Sequence, residues 1–280
     1  MRILYSLLLV GVAMVWGWTF VAVQDAVALY GVLGFLSVRF ALAAAALAPY
    51  AAKVSRRTLV VGAGIGLVLA LGYLLQTTGL LFTTPTNSGL ITGLFVVFAP
   101  IADRLFFGTR PSRPVLVAVL LSLLGMVILA GGGPDGVNWG DLLTLLCAGA
   151  LGLHIALLSR YARAHDASGL AFAQMLSMAF AFGLLWSLFE PVAFPPREVW
   201  FALVVTGLLA SAGAFWAQTF VQQRISAART AVILTTEPVF AAIFGYWLAG
   251  DRLVAVQIFG AALILSALVV GEVTPAVMRK

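Results

Sequence analysis

Few side chains in this sequence could do acid–base or ligand chemistry, and those that could lie inside long apolar stretches. Glu237 stands alone as a carboxylate near the centre of such a stretch, where a charge must be neutralised, paired or watered. It could carry a proton or recognise an amine, or it could make a structural hydrogen bond to a neighbouring helix. His154, also in an apolar stretch, could bind a substrate, relay protons or hydrogen-bond a neighbour. His154 and His165 are too far apart for a helical metal pair, and the run Gly131 to Gly133 lacks the lysine of a phosphate-binding loop. A single cysteine, Cys147, excludes an intrachain disulfide or a thiolate cluster and reads as a small buried hydrophobe. No acid and base pair or ligand set stands out, so neither enzymatic chemistry, nor a metal, nor a cofactor is expected.

The remaining polar residues fall on helical faces. Tyr73, Gln76, Thr77 and Leu80 follow three-and-four spacing, as do Ser211, Phe215, Gln218 and Gln222. Such faces line a cavity or bond to a neighbouring helix, while Gly62 and Gly66 favour close helix packing. Asn87, Ser88, Thr92, Phe95 and Ala99 precede Pro100, and Thr235, Thr236 and Glu237 precede Pro238. A proline frees a carbonyl one turn earlier, which could ligate a cation or ammonium, or it could simply bend the helix. Trp16 lies too deep for an interfacial belt and could form a cavity wall, whereas Trp18 suits the outer belt and Arg39 is expected to snorkel to the outer surface.

These residues need a membrane to position them. Hydrophobic residues make up 62% of the chain and charged ones only 9%, too little polarity to cover a water-soluble globule. At roughly 20 residues per crossing, the sequence divides into spans near 3–23, 32–51, 59–81, 87–107, 115–131, 140–159, 168–188, 199–220, 228–248 and 254–271. The first is too long for a signal-peptide core and is expected to be retained. With the N-terminus inside, the inner loops and ends receive Arg2, Lys53, Arg56, Arg57, Arg104, Arg110, Arg113, Arg160, Arg163, Arg224, Arg229, Arg279 and Lys280. The outer side receives Arg39, Arg197 and Arg252, so both termini are expected in the cytoplasm. The net charge of +6 is therefore read as orientation rather than as a nucleic-acid surface.

The chain also repeats itself. Tyr73, Gln76 and Thr77 reappear as Phe215, Gln218 and Thr219, and Pro100 is matched by Pro238 after a few residues of slippage. Copies of five spans each, an odd number, must insert in opposite orientations. The expected fold is an all-α polytopic membrane protein: ten transmembrane helices in two five-helix inverted-topology repeats, residues 1–134 and 135–280. Such a pair of bundles can open to one side or the other, giving alternating access to a site between them. The expected cavity is formed by spans one, three, four, six, eight and nine.

The sequence resembles the drug/metabolite transporter superfamily, specifically its ten-helix EamA-type exporters. The resemblance rests on Trp16-Gly17-Trp18, Arg39-Phe40, Thr236-Glu237-Pro238-Val239-Phe240 and Gly250-Asp251-Arg252-Leu253 in this order, together with the repeat. Within that group it is most similar to the YddG-type amino-acid exporters, which implies export of aromatic or other apolar amino acids through a central cavity. It departs from them at Asp251, where Glu is usual, and at Leu151 or Gly152, where a Trp is common.

The substrate-binding candidates are Trp16, Tyr73, Gln76, Asn87, Phe95, His154, Phe215, Gln218 and Glu237. The expected partners are an amino acid or similar small metabolite, the lipid bilayer and a coupling proton, with a monomer sufficient and no nucleic acid. The expected location is the bacterial inner membrane. Rival readings are a drug, sugar or nucleotide-sugar exporter of the same fold, a membrane-embedded lipid enzyme and a channel.

Overall fold

The computed structural model describes residues 2–130, 138–249 and 255–277. Among these residues all regular structure is helical. The glycine run from Gly131 to Asp135, the segment Gly250 to Leu253, and Arg279 and Lys280 lie outside the described residues. In chain order the first half comprises α1 (Arg2–Tyr30), α2 (Val32–Leu47), α3 (Arg56–Gly79), α4 (Pro85–Thr92), α5 (Phe95–Phe107) and α6 (Arg113–Ala130). The second comprises α7 (Trp139–Tyr161), α8 (Ala167–Phe189), α9 (Trp200–Val204), a π-helical stretch Val205–Gly213, α10 (Ala214–Gln222), α11 (Ala227–Leu234), α12 (Glu237–Phe244), a second π-helical stretch Gly245–Ala249, and α13 (Ala255–Val277).

Eight helical stretches among the described residues are long and apolar enough to cross a membrane, and Arg113–Ile128 and Ile258–Ala267 are shorter apolar helices. Large apolar side chains such as Leu105, Phe180 and Phe189 point outward, which suits hydrocarbon and not water. The protein is a multi-pass membrane protein.

Helix ends follow local polar chemistry. Ser55, Thr84, Asp166 and Ser226 each accept a backbone N–H with the side chain at a helix start. At α7, Asn138 and Asp141 form a reciprocal capping box. The first helix corrects the sequence boundary at residue 23: α1 continues past Gln24 and Asp25 to Tyr30. Gln24 does not break it because its amide donates sideways to the carbonyls of Leu80 and Thr83. The true breaker is Gly31, whose φ of 84° is a left-handed conformation that glycine adopts freely.

Close helix approaches occur where side chains are small. A Cβ on Gly62 would lie 2.5 Å from Ala173, and one on Gly66 would lie 2.7 Å from the Gln174 carbonyl, so these two glycines seat α3 against α8. Gly17 brings α1 onto α12, where a Cβ would meet the Ala241 nitrogen at 2.7 Å. Gly152 does the same for α7 against Phe98 and Ala99 of α5.

The broken spans correct the pairing of the two prolines. Both α4/α5 and α11/α12 begin at a hydroxyl cap, Thr84 and Ser226, run as an eight-residue helix, and break at Gly93-Leu94 and Thr235-Thr236. These positions are all 142 residues apart, the same offset that relates Tyr73 to Phe215 and Gln76 to Gln218. No slippage is needed. Pro238 therefore matches Val96, at the start of a helix where its missing N–H costs nothing, while Pro100 lies inside α5 and does not mark the break.

Candidate functional site

The helices surround an open cavity whose empty space, solvent at its mouth included, is about 660 Å³. Its walls come from α1, α2, α3, α5, α7, α10, α11 and α12, so both halves of the chain contribute. Eight of the nine residues selected from the sequence line it: Trp16, Tyr73, Gln76, Phe95, His154, Phe215, Gln218 and Glu237. Asn87 does not, which corrects its assignment. It sits in the first turn of α4, where its backbone N–H donates to the capping side chain, Thr84 Oγ1.

Phe215 is the centre of the aromatic wall. Its ring lies 5.2 Å from Trp16, 6.0 Å from Tyr73 and 5.9 Å from His154 between ring centres, the last two edge-on. Trp16 is held by its indole N–H, which donates to the carbonyl of Ala210 at 2.8 Å, inside the first π-helical stretch. Gln76 donates to Thr92 Oγ1 at 3.0 Å and so ties α3 to the end of α4.

His154 is fully buried and meets Gln174 Oε1 through Nε2 at 2.9 Å. Because the Gln174 amide nitrogen is already directed to the Leu170 carbonyl and Thr219 Oγ1, its oxygen is the acceptor, which assigns the proton to Nε2 of His154. The interface hydrogen bond was one of the three readings open for this histidine.

Arg39 corrects a second expectation. Instead of snorkelling to the surface it is only 3% exposed and lines the cavity. Its Nε donates to Ser211 Oγ at 2.9 Å and its Nη2 to the Tyr73 hydroxyl at 3.3 Å. The guanidinium also lies 4.7 Å from the centre of the Tyr73 ring and 5.3 Å from that of Phe40. Aromatic faces and hydroxyls from α2, α3 and the π-helical stretch hold it in the interior, so the long route to the membrane surface is not taken. A sequence signal existed: an arginine in the middle of an apolar helix is a functional candidate by default. Glu237, 4% exposed, lines the same cavity, and among the described residues its carboxylate has no hydrogen-bond or ion-pair partner.

Next to the lining residues Gln218 and Ile155, on the side of the basic loops, hydrogen bonds tie α10 to α7. Gln218 donates to Gln222 Oε1 at 2.8 Å, and Gln222 in turn donates to the Ile155 carbonyl at 2.8 Å and Ser159 Oγ at 2.6 Å. One residue further, Gln223 donates to the carbonyls of Ala162 and His165. At the opposite end the lining reaches Val23 and Leu80.

The EamA-like transporter family model matches this chain twice, over residues 3–131 and 138–270. The chain belongs to that family. It is 35% identical over 260 residues to a protein from Archaeoglobus fulgidus described as an uncharacterized transporter, covering 92% of this chain and 82% of the relative. A solved crystal structure has the same fold, with a TM-score of 0.79 at 19% identity and coverage of 98% of this chain and 99% of the other. Transport is thus the activity of the family to which this EamA-like chain belongs, and the cavity between its two matched halves is the candidate path.

Proposed function

We propose that this protein exports amino acids, aromatic and other apolar ones among them, across the bacterial inner membrane by alternating access. The observation that carries the reading is the composition of the cavity. Three pairs of lining residues stand in the same register of the two halves: Tyr73 with Phe215, Gln76 with Gln218, and Phe95 with Glu237. A site built from two similar bundles is served by a rocking motion of one against the other. Its aromatic walls accept apolar side chains with modest discrimination, about 1 to 3 kcal/mol per methylene, which favours a range of related substrates.

In this reading the chain crosses the membrane ten times, with both termini cytoplasmic and the segments 1–134 and 135–280 inserted in opposite orientations. A monomer suffices, because each chain carries both bundles. The hydrogen bonds from Gln222 to α7 and from Gln223 to the connection that follows it are then the cytoplasmic closure, and substrate reaches the cavity from inside when they part. Glu237 is the carboxylate that would carry a coupling proton.

The test is efflux of a panel of radiolabelled amino acids from liposomes containing the purified protein, with and without a pH gradient. Saturable release above empty liposomes supports the reading, and its dependence on the gradient should be lost in Glu237→Gln. Release of no amino acid above background would overturn it.

A further inference from the structure

A basic and an acidic side chain, Arg39 and Glu237, line one cavity and, among the described residues, form no ion pair with each other. Arg39 offers five N–H groups, of which two are used on Ser211 and Tyr73. Both acceptors are neutral hydroxyls, and among the described residues no carboxylate forms an ion pair with it. Two aromatic faces soften the burial of this cation but do not neutralise it. Glu237 carries the complementary deficit, an acceptor-only group with no donor directed at it. Gln218 Oε1, buried and lining the same cavity, also has no donor. Leaving a buried ion without its counter-charge costs several kcal/mol, a cost that a ligand bringing both counter-charges would remove.

We propose that Arg39 and Glu237 are the two ends of a zwitterion clamp, the guanidinium receiving the substrate carboxylate and the Glu237 carboxylate receiving its ammonium. This rests on the amino-acid reading of the cavity and specifies how that class is selected. The free N–H groups of Arg39 match the two oxygens of a carboxylate in a way a single ammonium could not. An ammonium brings three donors, enough for the Glu237 carboxylate and for Gln218 Oε1 together. The side chain of the substrate is left to the wall formed by Trp16, Tyr73 and Phe215. A ligand with only one charge would leave the opposite end of the clamp as an uncompensated buried ion, so the selection works mainly by rejection.

The experiment uses purified full-length protein in liposomes and measures inhibition of radiolabelled phenylalanine efflux by three competitors. These are phenylalanine itself, phenylalaninamide, which lacks the carboxylate, and 3-phenylpropionate, which lacks the amine. Wild-type protein should require at least a tenfold higher concentration of either singly charged compound than of phenylalanine. Glu237→Gln should reduce the preference for phenylalanine over phenylpropionate to less than threefold while keeping the preference over the amide. Arg39→Gln should do the reverse, with Arg39→Lys as the charge-retaining variant if the Gln protein does not fold. Equal competition by all three compounds in the wild type would overturn the clamp while leaving amino-acid export standing. Absence of any amino-acid release would instead remove the underlying reading, and the clamp with it.

Discussion

Replacing Gln222 with Ala should open the cavity toward the basic loops. Its side chain, itself fully buried, makes two donated bonds to α7, to the Ile155 carbonyl and the half-buried Ser159 Oγ, and accepts one from Gln218 within α10. Interhelical hydrogen bonds in membrane bundles contribute about 0.6 kcal/mol each on average, so the two that join α10 to α7 amount to about 1.2 kcal/mol. If that energy favours the closed arrangement, its loss shifts the ratio of closed to open by about eightfold. A cysteine at Ile155, in a Cys147→Ala background, reports the opening, because the Ile155 side chain lines the cavity while its backbone carbonyl remains available. A membrane-impermeant maleimide applied from the side of the basic loops should label this cysteine about an order of magnitude faster in Gln222→Ala. Unchanged labelling in both Gln222→Ala and Gln222→Leu, with the protein still folded, would refute the assignment of these bonds as a closure.

Other substitutions probe the framework and the walls. Gly66→Leu should abolish folded, monodisperse protein in detergent, since even a Cβ would press on the Gln174 backbone, whereas Gly64→Ala should be neutral because nothing lies within 4 Å. Leu151→Trp should narrow the cavity and raise the apparent KM for the largest substrates, as measured by efflux, while Gly152→Trp should fail to fold against Phe98 and Ala99. His165, in the loop between α7 and α8, is hydrogen-bonded to Thr58 Oγ1, and burial, then the neighbouring Arg57 charge, hold its pKa below the ordinary 6.5. The unfolded chain therefore takes up this proton first as pH falls, so stability present above neutrality should be lost through the weakly acid range. The melting temperature of His165→Asn should fall less than that of the wild type over the same range.

Apolar blocks and their breakers made the helices legible, because hydrocarbon imposes a length and forbids open backbone. The cavity face of α3 was legible for a related reason: Tyr73, Gln76, Thr77 and Leu80 are spaced for one side of a helix, and all four line the cavity. What failed was inference from single residues. Asn87 is polar yet lies in the first turn of α4 and not among the cavity-lining residues, and Pro100 is a proline that tolerates the helix interior. Arg39 was misplaced because sequence gives its depth along α2 but not the ring of Tyr73 or the hydroxyl of Ser211 that arrive from elsewhere in the chain. The π-helical stretch that presents Ser211 and the Ala210 carbonyl has no signature in residue spacing at all.

The repeat and its departures do different jobs in this cavity. Where the halves agree, as at Gln76 and Gln218 or at the hydroxyl caps Thr84 and Ser226, they supply geometry: matching faces and helices broken at matching depths. Where they differ, they supply chemistry. Leu69 is answered by Ser211, which holds Arg39; Tyr73 by Phe215, so only the first half offers Arg39 a phenol; and Phe95 by Glu237, so only the second half brings a carboxylate. A perfectly repeated cavity would present the same groups twice, related by pseudo-symmetry, and would have no preferred direction for a ligand whose two ends differ. Substitution at four positions of one register, the fourth being Arg39 itself against Ala181, gives the site a basic and an acidic side while leaving intact the near-equivalence of the two bundles on which the proposed alternating access depends.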